Sequence, residues 1–156
     1  MHDIAIDTTL PTPQAVVAPR LFTVLSGYAA RNDFVLTLDL GLAGAAMSVP
    51  VTVEVGDSNA RTATAVPIGL RASRHAGWFP RFRGEVRDEA VGPLESILRL
   101  AGTYETPLGP LGEVADRTVL GGAAERSLRT FLERLRADVL EEIARAELDV
   151  RRRAGS

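Results

Sequence analysis

The sequence predicts an α+β fold in which a curved antiparallel sheet of about six strands wraps around one long C-terminal helix, with a short helical segment near the N-terminus. Two observations predict it. Between Asp33 and Glu105, apolar and polar residues alternate with period two, which marks strands with one dry and one wet face. From Leu120 onward the apolar residues recur every three or four positions, so a single amphipathic helix is left to cover the apolar face of the sheet.

Asp3 to Thr9 reads as the first strand, with Ile4 and Ile6 on one face and Pro11 and Pro13 stopping it. From Pro13 to Tyr28 the residues Val16, Val17, Leu21, Val24 and Leu25 follow helical spacing. Pro13 suits a first helical turn, where its missing N–H has no intrahelical partner to lose, whereas Pro19 predicts a break or two short helices. Gly27 and Asn32 punctuate the exit.

The strands follow. Phe34, Leu36, Leu38, Leu40 and Leu42 share a face, opposite Asp33, Thr37 and Asp39. Val49, Val51, Val53 and Val55 share the next, with Pro50 predicting an edge or a bulge. After a turn at Gly56-Asp57-Ser58-Asn59, the segment Thr62 to Ala72 sets Val66, Ile68 and Leu70 against Arg71 and Ser73. A second turn near Arg74-His75-Ala76-Gly77 leads to Trp78, Phe82 and Val86, facing away from Arg81, Arg83, Glu85 and Arg87. Past Gly92-Pro93, the residues Leu94, Ser96, Leu98, Leu100 and Tyr104 oppose Glu95, Arg99 and Thr103. The outward Glu54, Arg71, Arg83, Glu85, Glu95 and Arg99 read as a solvated charge ladder, with cross-strand pairs contributing roughly 0.2–1 kcal/mol each.

The final helix carries the stripe Leu120, Ala124, Leu128, Phe131, Leu132, Leu135, Val139, Ile143 and Ala144, with Glu125–Arg129 and Glu141–Arg145 in the favourable i,i+4 order. Gly121-Gly122 interrupts it, since each glycine costs about 1 kcal/mol relative to alanine in a helix. That step predicts either a kink or a close approach to the sheet. Residues 1–150 form one domain, and Arg151-Arg152-Arg153 begins a solvated basic tail over 151–156.

Composition removes whole classes of chemistry. All 18 basic residues are arginine, so neither a Schiff-base lysine nor a phosphate-loop lysine exists. With Cys 0, disulfides, thiolate nucleophiles and cysteine metal sites are excluded. Of the two histidines, His2 lies at the terminus and His75 has no carboxylate at ligand spacing, so no metal and no cofactor is expected. A net charge of -2 gives no reason to expect a nucleic acid or an anionic lipid as partner, and Gly109-x-x-Gly112 reads as a turn rather than a phosphate or nucleic-acid clamp. No serine stands in a nucleophile elbow. No apolar run reaches transmembrane length and no leader pattern opens the chain, so the expected location is the cytoplasm, without membrane insertion.

What remains is an apolar inner face with a few amphipathic residues. Trp78 and Tyr104 each bring a large ring with one polar handle, and Ser96 is the small hydroxyl on the inward side of its strand. His75 lies at the hairpin beside Trp78, and Tyr28 ends the N-terminal helical segment. With Phe82, Leu98, Leu128, Phe131 and Leu135 they form the candidate lining of a cavity, and the same residues equally suit a filled core.

The order of elements, together with Gly102-Thr103-Tyr104-Glu105-Thr106-Pro107-Leu108-Gly109-Pro110-Leu111-Gly112 before a long amphipathic helix, resembles the START-like helix-grip superfamily over nearly the whole chain. More narrowly, Leu111-Gly112-x-x-x-Asp116-Arg117 followed by Ala124-Glu125-Arg126-Ser127-Leu128-Arg129 and Leu132 resembles its polyketide cyclase/dehydrase-like branch. The resemblance implies a sheet gripping the C-terminal helix around an elongated cavity for a lipophilic or polycyclic ligand. It assigns Trp78, Ser96 and Tyr104 to the cavity wall, while every arginine of the predicted strands alternates outward.

Three functions follow as expectations. The first is non-catalytic binding of an apolar small molecule or lipid. The second is a cyclase or aromatase using His75 or Tyr104 as acid/base. The third is self-association of a filled-core protein, so the chain is expected as a monomer or a homodimer.

Overall fold

The computed structural model describes residues 1–39, 46–57, 64–74, 79–105 and 117–155. His75, Trp78, Leu40, Leu42 and the turn around Gly109 lie outside the described residues. The elements run β1 (His2–Leu10), α1 (Gln14–Arg31), β2 (Val35–Asp39), β3 (Ala46–Val55), β4 (Ala65–Ala72), β5 (Arg81–Ala90), β6 (Ser96–Glu105) and α2 (Arg117–Ala154).

The strands form one six-stranded antiparallel sheet in the order β1-β6-β5-β4-β3-β2. Its two edges, β1 and β2, both pack against α2, as does β6, while α1 packs on β3, β5 and α2. A sheet whose opposite edges touch the same helix is curled around it.

Period two produces the inner face. Ile4, Ile6 and Leu10 of β1, Val49, Val51 and Val53 of β3, Val66, Ile68 and Leu70 of β4, Phe82 and Val86 of β5, and Leu98 and Leu100 of β6 are all buried. Alternate residues point to water, where Arg99 reaches Asp7 at 2.7 Å and Glu89 at 3.2 Å, and Arg71 reaches Glu54 at 3.3 Å. Ser96 opens β6 and Tyr104 is its last residue but one, both on the inner side.

Gly84 and Gly102 face one another across β5 and β6, where the backbones approach closely. A Cβ on Gly84 would stand 2.2 Å from the Ala101 carbonyl oxygen, and one on Gly102 would stand 2.4 Å from that of Arg83. No side chain fits between backbones this close. The Phe82 ring folds over the space, its Cζ 2.7 Å from where the Gly84 Cβ would be, so an aromatic ring covers the bare glycine.

The structure corrects several sequence expectations. Pro19 does not break α1, which runs unbroken from Gln14 to Arg31. Pro19 and Ala15, the residue whose carbonyl loses a donor, are both exposed, so the missing hydrogen bond falls where solvent can replace it. Asn32 ends the helix in the left-handed region at φ 51, its N–H reaching the Tyr28 carbonyl at 3.2 Å. Pro50 lies in a strand that has neighbours on both sides, but at a point where only one of them pairs with it. β3 pairs with β2 through Pro50 and with β4 from Val51 onward, so Pro50 sits at the exchange of partners.

On α2, Ala124, Leu128, Phe131, Leu132, Leu135, Val139 and Ile143 are buried, but Ala144 is exposed because the stripe ends one residue earlier. The helix passes through Gly121-Gly122 without interruption, and a Cβ on Gly122 would meet nothing within 4 Å, so no close approach requires that glycine. Arg151, Arg152 and Arg153 are exposed yet helical, placed where positive charge favours the helix C-terminus.

Candidate functional site

Between sheet and helix lies an apolar wall assembled from both. Phe82 and Tyr104 stand directly opposite each other on β5 and β6, and Leu98 lies further along the same inner face. Leu128, Phe131 and Leu135 of α2, spaced by three and four residues, are each 0% exposed. Tyr104 is 4% exposed, and burial, with the Glu125 carboxylate second, raises its hydroxyl above the usual tyrosine value. His2 stacks obliquely on Tyr104 at 5.3 Å.

The other two polar candidates are already engaged. The Ser96 hydroxyl donates to the Thr12 carbonyl at 2.8 Å, fastening the link between β1 and α1. The Tyr28 ring packs on Phe34 at 4.3 Å and on Phe131 at 6.4 Å, and its hydroxyl donates to Asp138. Burial and that carboxylate push the Tyr28 hydroxyl far above its ordinary value. Arg134 completes the cluster, bonded to Asp138 at 3.1 Å and lying 5.4 Å over the Phe34 ring. Tyr28, Phe34, Arg134 and Asp138 line a groove of about 560 Å3 between the two helices and the start of β2, so Tyr28 addresses a different space from Tyr104.

Solved structures place this architecture. A conserved protein from Geobacillus kaustophilus aligns over 90% of this chain and 96% of its own, at TM-score 0.55 and 14% identity. TTHA0849 from Thermus thermophilus aligns over 90% and 99%, at TM-score 0.52 and 17% identity. The chain has the helix-grip fold. The Zhui aromatase/cyclase from Streptomyces sp. R1128 aligns over 92% of this chain and 94% of its own, at TM-score 0.48 and 17% identity. No family model matches the sequence, and no curated protein matches it.

One inward residue of this helix-grip sheet escaped the sequence reading. Asp88 is 1% exposed, and neither carboxylate oxygen has a hydrogen-bond partner among the described residues. Its backbone is held on both sides, the N–H by the Thr64 carbonyl at 2.9 Å and the carbonyl by the Gln14 amide at 3.0 Å. Burial raises its carboxyl above the ordinary range, opposed in smaller measure by its own backbone and the Gln14 amide. The signal was available, because Phe82, Gly84, Val86 and Asp88 share one parity along β5. Asp88 is thus an inward charge among strands whose arginines alternate outward: its place in the pleat outweighs its charge.

Among the described residues, no group of three or more His, Asp or Glu is placed to hold a metal, and no helix is long and apolar enough to cross a membrane.

Proposed function

We propose that the chain binds an apolar or polycyclic small molecule between the curled sheet and α2. The observation that carries this reading is the chemistry of the inner wall. Phe82, Leu98, Leu128, Phe131 and Leu135 present hydrocarbon from both layers, and Tyr104 adds one hydroxyl at the end of β6 that leads toward α2. Pockets for small molecules are mostly apolar with few polar groups fixing orientation. Burying about 350 Å2 of ligand surface at about 25 cal/mol per Å2 gives about 9 kcal/mol, against the about 8.2 kcal/mol that micromolar affinity needs before ordering costs.

Binding rather than catalysis is the better fit to the described residues. Ser96 and Tyr28 spend their hydroxyls on structural bonds, and Tyr104, with its proton held more tightly than usual, is a poorer base near neutral pH.

Recombinant protein analysed by native mass spectrometry, then extracted with organic solvent, is expected to release an apolar molecule, and Leu128→Trp is expected to abolish its retention by filling the wall. A clean apo mass, together with no uptake of an anilinonaphthalene dye at micromolar concentration, would refute the reading.

A further inference from the structure

α2 runs well past the core that it anchors. Its last buried residue is Ile143 and the helix continues to Ala154, so about 16 Å of helix, at about 1.5 Å per residue, projects beyond the last core position. This projection is not polar all round. Ile143, Ala146 and Val150 recur on one face and, with Val16 and Arg20 of α1, line a groove of about 450 Å3. Val150 is 66% exposed and Val16 40%. The charges of the segment are ordered as well, with Glu147 and Asp149 preceding Arg151, Arg152 and Arg153. Glu147 and Arg151 stand one turn apart on the same flank of the apolar face, and both border the groove.

We propose that this groove docks the same helical segment of a second copy of the chain, antiparallel about a two-fold axis. Val150 then seats against the apolar face of the other copy. Glu147 lies beside Arg151 of the second copy, and Arg151 beside its Glu147. A two-fold interface must be self-complementary, and a segment with acid and base one turn apart on the same flank meets that condition when reversed upon itself. An anionic surface would pair with Arg151, Arg152 and Arg153 but set Glu147 and Asp149 against like charge, and a cationic surface the reverse. The contact is short, below the about 1,600 Å2 of a standard interface, so the dimer is weak, concentration-dependent and sensitive to salt.

Sedimentation equilibrium of the full chain from about 10 μM to about 1 mM tests this. Wild type is expected to shift from monomer to dimer over that range, and Val150→Glu to weaken the dimer at least about tenfold with unchanged helicity by circular dichroism. The decisive measurement mixes two variants. Glu147→Arg alone and Arg151→Glu alone each place like charges together and are expected to stay monomeric, whereas their equimolar mixture restores both attractive contacts and re-forms the dimer. A wild type that is monomeric throughout would overturn the proposal, whether or not it binds vesicles of anionic lipid. So would a dimer indifferent to Val150→Glu, or a mixture that stays monomeric.

Discussion

Replacing Asp88 with Asn is expected to stabilise the protein near neutral pH, which is unusual for a change at a buried position. Asp88 is 1% exposed and neither carboxylate oxygen has a partner among the described residues, so ionising it places inside the sheet a charge that its own backbone and the Gln14 amide offset only in part. The folded state therefore holds the proton more tightly than the unfolded chain does. A carboxyl raised on folding contributes stability below its unfolded value, and that contribution is lost as pH rises through the folded value. Each unit of difference corresponds to about 1.36 kcal/mol. Asn keeps the shape and leaves neutral polar atoms in place but removes the charge, so at about pH 7.5 the gain is expected at about 1–3 kcal/mol, the extra desolvation cost of a charged over a neutral buried group. For a chain of this size that raises Tm by about 2–12 °C. The gain should shrink as pH falls toward about 4 and the wild-type carboxyl takes up its proton. The assay is urea or thermal unfolding of both proteins across this range, read as the difference between them. Taking the difference cancels Asp7, whose carboxyl is lowered by Arg99 and whose contribution has the opposite sign, present at neutral pH and lost in acid. An Asn variant less stable than wild type at about pH 7.5, or a difference that does not change with pH, would refute the reasoning.

Two glycines should respond oppositely to alanine. Gly102→Ala drives a Cβ into the Arg83 carbonyl and is expected to lower stability in urea by about 1–3 kcal/mol or more, while Gly122→Ala meets open space and should raise it by about 1 kcal/mol. Tyr28→Phe removes the hydrogen bond to Asp138 that straps α1 to α2. Asp138 keeps Arg134 and some solvent, so a loss of about 1–2 kcal/mol is expected by thermal unfolding, and unchanged stability would show the bond to be incidental.

The sequence by itself determined the elements and their faces. Strict alternation in Val49, Val51 and Val53 and in Val66, Ile68 and Leu70 leaves a strand one way to bury its apolar side, and the spacing of Leu128, Phe131, Leu132 and Leu135 does the same for a helix. The helix-grip plan follows, because a half-apolar sheet and a half-apolar helix stabilise each other by facing. Local exceptions were harder to read. Pro19 carried a warning that held only if its turn were buried, and exposure is a tertiary property.

Tertiary structure alone decided which polar groups are spent. Ser96 and Thr12 are 84 residues apart, and Tyr28 and Asp138 110 apart, so no local pattern could pair them. Their hydroxyls looked equally available in the sequence, and only packing showed both committed to structure. Asp88 is the converse, a charge legible by parity as inward but overlooked because burial of a lone carboxylate is costly. Periodicity states which way a side chain points. Whether it finds a partner there depends on residues that the chain brings in from far away.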